Sequence, residues 1–158
     1  MNDVTARPNT LPWPPIIYLA AIGVSVLLNV LYPLPWLGQP LSDILAALGW
    51  LMIAAWLALN IFSIRTMRRA GTTVRPDRGT DHLVTDGPFR FSRNPIYLAG
   101  TLLVFGIGLA AGVAWFLPLA ILAAFAVQKI TIEREERHLQ ARFGETYLDY
   151  ARRVRRWI

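Results

Sequence analysis

The 158-residue chain contains no cysteine. That absence excludes a disulfide framework, a thiol nucleophile and a cysteine-ligated metal site. Its two histidines, His82 and His138, are far apart and have no second histidine at ligand spacing, so no metal is expected. Charge is scarce as well. Charged residues make up 16% of the chain against 54% hydrophobic, and the mean hydropathy is +0.40. Between Arg7 and Arg65 the one charged residue is Asp43, and between Arg93 and Lys129 there is none. Uncharged runs of that length are membrane spans rather than soluble core helices. No internal repeat is present, and the length fits a single domain over 1–158.

Four apolar runs are legible, about Pro15 to Tyr32, Leu41 to Ile64, Pro95 to Ala111 and Val113 to Ile130. The expected fold is all-α and membrane-embedded, with four transmembrane helices. Ala47, Ala54 and Ala58 form a small-residue face on the second run where another helix could approach. Gly112 allows a tight reversal between the third and fourth runs, and Pro118 is expected to kink the fourth. Seven of the sixteen basic residues lie from Arg65 to Arg93 and eight from Lys129 to Arg156. The positive-inside rule puts both segments in the cytoplasm, and an even number of spans puts the N-terminus there too. The expected location is a bacterial inner membrane, with the site on its cytoplasmic side. The net charge of +6 is clustered beside apolar spans, which suits membrane lipids and not nucleic acid. After the fourth run a helix is expected to continue through Glu133 to His138, and Phe143-Gly144 to break it. A last amphipathic helix from Glu145 to Arg156 would carry Tyr147, Tyr150, Val154 and Trp157 on its apolar face. Such a helix lies on the membrane or packs on the domain.

The polar seam between the two hydrophobic halves runs from Asp81 to Tyr97. Asn94 is placed to act as an N-cap and Pro95 suits the first helical position. A helix starting there offers unpaired N–H groups and partial positive charge to a carboxylate or phosphate. Glu133, Glu135 and Glu136 leave the fourth span on the same side, and the hairpin of the third and fourth runs brings them toward the seam. Phe89, Phe91 and Tyr97 supply aromatic faces for a cation. Taken singly, each feature has an ordinary structural explanation: a helix start, positive-inside arginines, a solvated acidic face. A zwitterion with a cationic centre would match them together.

The order of these elements is more specific than its parts. Leu83 to Arg90 reads Leu-Val-Thr-Asp-Gly-Pro-Phe-Arg, followed by Arg93-Asn94-Pro95-Ile96-Tyr97, two short spans, Glu135-Glu136, and Phe143-Gly144-Glu145-Thr146-Tyr147 with Tyr150. This closely resembles the isoprenylcysteine carboxyl methyltransferase family, and the related phospholipid N-methyltransferases share the general pattern. The resemblance covers about Val74 to Trp157. It implies a membrane enzyme that uses S-adenosyl-L-methionine, with a cofactor-binding half over about 74–157 that includes the cytoplasmic loop and the C-terminal helix. Its cofactor contacts would fall on Asp81, His82, Leu83, Val84, Phe89, Asn94, Pro95, Ile96, Tyr97 and Glu135, with Glu136 beside them. Two departures matter. The eukaryotic pattern has histidine where this chain has Asn94, and the arginine about one turn before Glu135 is Thr131 here. The second departure weighs against a prenylcysteine substrate more than against the cofactor.

The expected acceptor is an amphipathic small molecule or lipid reaching the site from the bilayer. Methyl transfer is an in-line displacement, and holding donor and acceptor in near-attack geometry supplies on the order of 7–11 kcal/mol in the best model systems. A carboxylate or thiolate acceptor needs no dedicated base, and no catalytic residue stands out in the chain. Two other readings compete: a small NADPH-dependent reductase related to sterol reductases, and a non-enzymatic membrane scaffold.

Overall fold

The computed structural model describes residues 13–71 and 83–158. Asp81 and His82 lie outside the described residues. Those residues form an all-α fold with no strands among them. The helices are α1 (Trp13–Leu31), α2 (Leu41–Arg69), α3 (Pro95–Ala111), α4 (Phe116–Val127), α5 (Glu133–Phe143) and α6 (Glu145–Arg153). A 3-10 turn at Gly87–Arg90 precedes α3, and a π-turn at Gln128–Ile132 joins α4 to α5 without a break. Three helical stretches are long and apolar enough to cross a membrane: α1, α2 and the continuous Phe116–Phe143 helix. α3 is a shorter apolar helix of 17 residues. The chain is an integral membrane protein.

α3 is the centre of the packing. α2 lies along one side, and the two backbones touch at Gly49 and Gly106. A Cβ on Gly49 would stand 2.7 Å from the Gly106 carbonyl oxygen, and one on Gly106 would stand 2.9 Å from that of Gly49. Contact at that distance requires glycine on both helices. α1 and α4 pack on other faces of α3. The Tyr18 ring rests on Gly100 and Phe116 rests on Gly108. Their shared core contains Tyr18, Ala21, Val104, Phe116, Ala120, Ala123, Val127 and Ile132. The small-residue face expected at Ala47, Ala54 and Ala58 is exposed instead. Gly49 selects a different face of α2, the one continuing through Ile53 and Ser63 at helical spacing.

Helix boundaries depart from expectation in three informative places. α2 continues past Ile64 to Arg69, because its terminal arginines are good helix formers that complement the negative helix end. Its 29 residues span roughly 43 Å against about 30 Å of hydrocarbon. The arginine-bearing end therefore projects beyond the apolar layer, where Thr66 meets Gly87. Pro118 does not kink α4. It sits in the first turn of a helix that begins at Phe116, where its missing N–H would have had no partner anyway. α6 ends at Arg153 rather than Arg156, and Val154 is extended at φ −120°, ψ 128°. Gly112 and Gly144 do act as the sequence predicts. Gly112 closes α3 in the left-handed region at φ 66°, and Gly144 breaks α5 from α6 at φ 53°, ψ −127°, a conformation open mainly to glycine.

Candidate functional site

The site lies where the start of α3, the π-turn, α5 and the C-terminal segment converge. α3 begins as expected at Pro95, which is buried in its first position. Asn94 does not cap it with its side chain. Its Nδ2 instead donates to the Arg156 carbonyl at 3.0 Å, and its own carbonyl accepts from Leu98 N–H at 2.9 Å. The extended tail explains the difference. Val154 to Ile158 leaves α6 and runs across the start of α3, where the Arg155 carbonyl accepts from Arg93 N–H at 3.0 Å. Ser92 Oγ donates to the Arg156 carbonyl at 3.4 Å and accepts from Asn94 N–H at 3.1 Å. The helix start is thus covered by the chain's own C-terminal backbone.

Tyr97, one turn into α3, points to α5 and donates its hydroxyl to Glu135 Oε1 at 2.7 Å. Tyr18 of α1 supports this turn by donating to the Tyr97 carbonyl at 2.8 Å. Thr101 donates to the same carbonyl at 3.1 Å. Glu135 and Glu136 are neighbours with different surroundings. Glu136 accepts a bidentate pair from Arg156, Nε to Oε1 at 3.0 Å and Nη2 to Oε2 at 2.6 Å. Arg93 Nη2 adds a third contact to Oε1 at 3.1 Å. Two guanidinium groups share one carboxylate, in a mostly buried place: the Arg93 and Glu136 side chains are 14% and 17% exposed. Arg93 also donates through Nη1 to the Tyr147 hydroxyl at 3.0 Å.

Glu135 has no cation paired with it among the described residues. α5 carries six charged residues in eleven and lies beyond the apolar run. Burial pushes the Glu135 carboxyl up to about 7; the hydrogen bond from Tyr97 pulls it back in part, and the negative charge of Glu136 raises it further. A carboxyl that ionises less readily when folded favours the folded state at low pH. That contribution is complete below the ordinary carboxylate value and is lost as pH rises through about 7. A ligand cation placed on Glu135 would reverse the preference.

Of the residues expected to form the site, Asn94, Pro95, Ile96, Tyr97, Glu135 and Glu136 come together here. Phe89 lies in the 3-10 turn, and its carbonyl accepts from the Tyr150 hydroxyl at 2.7 Å. Leu83 and Val84 are partly buried just before that turn. Phe91, expected to offer an aromatic face, is 78% exposed. The expected helix through Arg156 carried Val154 and Trp157 on its apolar face; in the structure both sit on the extended tail, while Tyr147 and Tyr150 are buried against the domain. In the sequence Arg93 and Arg156 read as positive charge beside the membrane and Tyr147 as a packing aromatic. No local signal marks Arg93 and Arg156 as partners of Glu136, since the contacts join positions 20 and more residues apart.

A family model described as phospholipid methyltransferase matches residues 44–146. The chain belongs to the phospholipid methyltransferase family. Neither a curated protein nor a solved structure matches it. The matched range runs from the first turn of α2 into the first turn of α6, so it holds α3, the π-turn and the Glu135 and Glu136 carboxylates. It begins thirty residues before Val74, which brings α2 into the family pattern. α1 and the tail after α6 lie outside it. Membership implies membrane methyltransferase activity on lipid-like substrates.

Proposed function

We propose that this phospholipid methyltransferase family member transfers a methyl group from S-adenosyl-L-methionine to a membrane-partitioned, lipid-like acceptor at the junction of α3 and α5. The observation that supports the reading is Glu135, a partly buried carboxylate with no cation paired with it among the described residues. The residues present fit the cofactor. Glu135 would hold its ammonium or ribose hydroxyls, the Arg93 and Arg156 side of the site carries excess positive charge for its carboxylate, and Tyr97 orients Glu135 by its hydrogen bond. Leu83, Val84 and Phe89 would lie along the adenosine. When bound, the cofactor supplies a methyl group on a sulfonium. The protein's own part is to hold donor and acceptor in line and to keep water out, which is where catalysis by positioning acts.

The test is a tritiated methyl-transfer assay with detergent-purified protein, extracted host lipids, and a panel of amphipathic carboxylates, thiols and amines. Label should appear in a lipid-soluble product with at least one acceptor class. Absence of transfer with every acceptor would contradict the proposal.

The topology belongs to the same reading. Four spans, with α3 as the short one, place both termini and the α2–α3 connection in the cytoplasm. Reporter fusions after Gln39 and after Gly112 should behave as periplasmic, and those after Arg78 and Ile158 as cytoplasmic. A cytoplasmic signal at Gln39 would sink the four-span arrangement.

A further inference from the structure

The join between α4 and α5 is the one irregular stretch of an otherwise continuous helix. In the π-turn the Glu133 N–H reaches back five residues to the Gln128 carbonyl. Such a turn inserts one extra residue, and one residue is about 100° of rotation in a helix of 3.6 residues per turn. Every side chain of α5 therefore occupies the direction that its predecessor would have in an uninterrupted α-helix. Without the insertion, the place opposite Tyr97 would fall to Arg134, and the place between Arg93 and Arg156 would fall to Glu135. The positions of both carboxylates depend on this one turn.

The C-terminal tail grips the turn at its first residue. Trp157 Nε1 donates to Gln128 Oε1 at 2.7 Å, and the Trp157 ring packs against the apolar core of α1, α3 and α4. The same tail is bonded to the start of α3 through Arg93 N–H, Asn94 Nδ2 and Ser92 Oγ. Gln128 is thus held twice, by its backbone in the π-turn and by its side chain on the tail. The tail fixes the α3 side and the α5 side of the site to one another. Thr131 and Ile132, inside the turn, are fully buried, and the Thr131 hydroxyl finds no hydrogen-bond partner among the described residues. The turn therefore does not hold its shape through that hydroxyl.

We infer that Trp157 is a positioning residue for the methyltransferase site: its indole, bonded to Gln128 at the root of the π-turn, holds α5 in the rotation that sets Glu135 against Tyr97 and Glu136 against Arg93 and Arg156. Its indole N–H is bonded to Gln128 and not to any of these five side chains, so Trp157 acts through the turn. The inference rests on the proposed use of S-adenosylmethionine for its binding readout, and on the structure alone for a second one.

Both readouts use full-length protein in detergent. Trp157→Phe keeps a ring and removes the N–H; Gln128→Leu removes the acceptor; Gln128→Glu keeps it. Calorimetric titration with S-adenosylhomocysteine should show Trp157→Phe and Gln128→Leu each weakened by roughly 2- to 10-fold, the range for one neutral hydrogen bond. The double variant should be no weaker than either single one, and Gln128→Glu should keep most of the affinity. The second readout needs no cofactor. The melting temperature of the apo protein is followed from pH 4 to pH 9, and its fall with Glu135 ionisation should run from the ordinary carboxylate range up to about 7 in the wild type, with its midpoint between the two. In Trp157→Phe that midpoint should move down toward the ordinary carboxylate range, because Glu135 gains water. Lower melting temperatures with unchanged affinity and an unchanged midpoint would reduce Trp157 to packing and overturn the inference. If the wild type itself fails to bind S-adenosylhomocysteine, the functional reading falls, and the pH midpoint still decides the role of Trp157.

Discussion

Glu136→Ala is expected to lower the apparent melting temperature by on the order of 10 °C, the largest stability loss of any single substitution at the site. Glu136 is the one carboxylate between Arg93 and Arg156, and removing it leaves two guanidinium groups facing each other with little water. Breaking a buried ion pair by deleting one partner costs about 3–5 kcal/mol, since the remaining charge is stranded. At roughly 2–4 °C per kcal/mol for a chain of this size, that gives the stated shift. Arg93→Ala should cost less, because Arg156 keeps its bidentate grip on Glu136. A thermal melt of the two variants checks the order. Equal, small losses at Glu136 and Arg93 would mean that the cluster is solvated and not structural.

Glu135→Ala should have the opposite signature: near-normal folding and S-adenosylhomocysteine affinity lowered about ten- to a hundredfold. Losing a hydrogen bond to a charged group costs roughly 1.5–3 kcal/mol, which is that range of affinity. The variant should melt at least as high as wild type above neutral pH, because removing a carboxyl held near 7 removes the stability lost on its ionisation. Glu133→Ala is the control, since Glu133 is bound on the surface by Lys129 one turn away. Affinity that is undiminished in Glu135→Ala would remove Glu135 from the cofactor.

The two carboxylates look alike in sequence, adjacent and both among arginines. Only their rotation about α5 separates them, and that rotation comes from a π-turn that no breaker announces. Gln128 to Ile132 contains neither glycine nor proline. What was legible came from strong local chemistry. Charge-free runs marked the apolar helices, Gly112 and Gly144 marked the two reversals, and Pro95 marked the start of α3. Pattern could not show which atoms Asn94 would meet. A helix-start asparagine usually accepts from the N–H groups of the first turn, but here the tail offers a carbonyl and Asn94 donates to it. An Asn94→Asp variant therefore tests the tail contact as much as any ligand, because aspartate cannot donate to that carbonyl. Trp157 reads as the last member of an amphipathic stripe at helical spacing. The helix ends four residues earlier, and the residue does its work from an extended segment.

One measurement bears most directly on the account, which places an S-adenosylmethionine site at the α3–α5 junction with Glu135 ionised against the ligand. Detergent-purified protein is titrated calorimetrically with S-adenosylhomocysteine at pH 6 and at pH 8, and with NADPH in parallel. Binding of S-adenosylhomocysteine that is tighter at pH 8 than at pH 6 in the wild type, loss of that difference in Glu135→Gln, and no heat with NADPH are the predicted results. No binding of S-adenosylhomocysteine at either pH, or saturable binding of NADPH, would contradict the account.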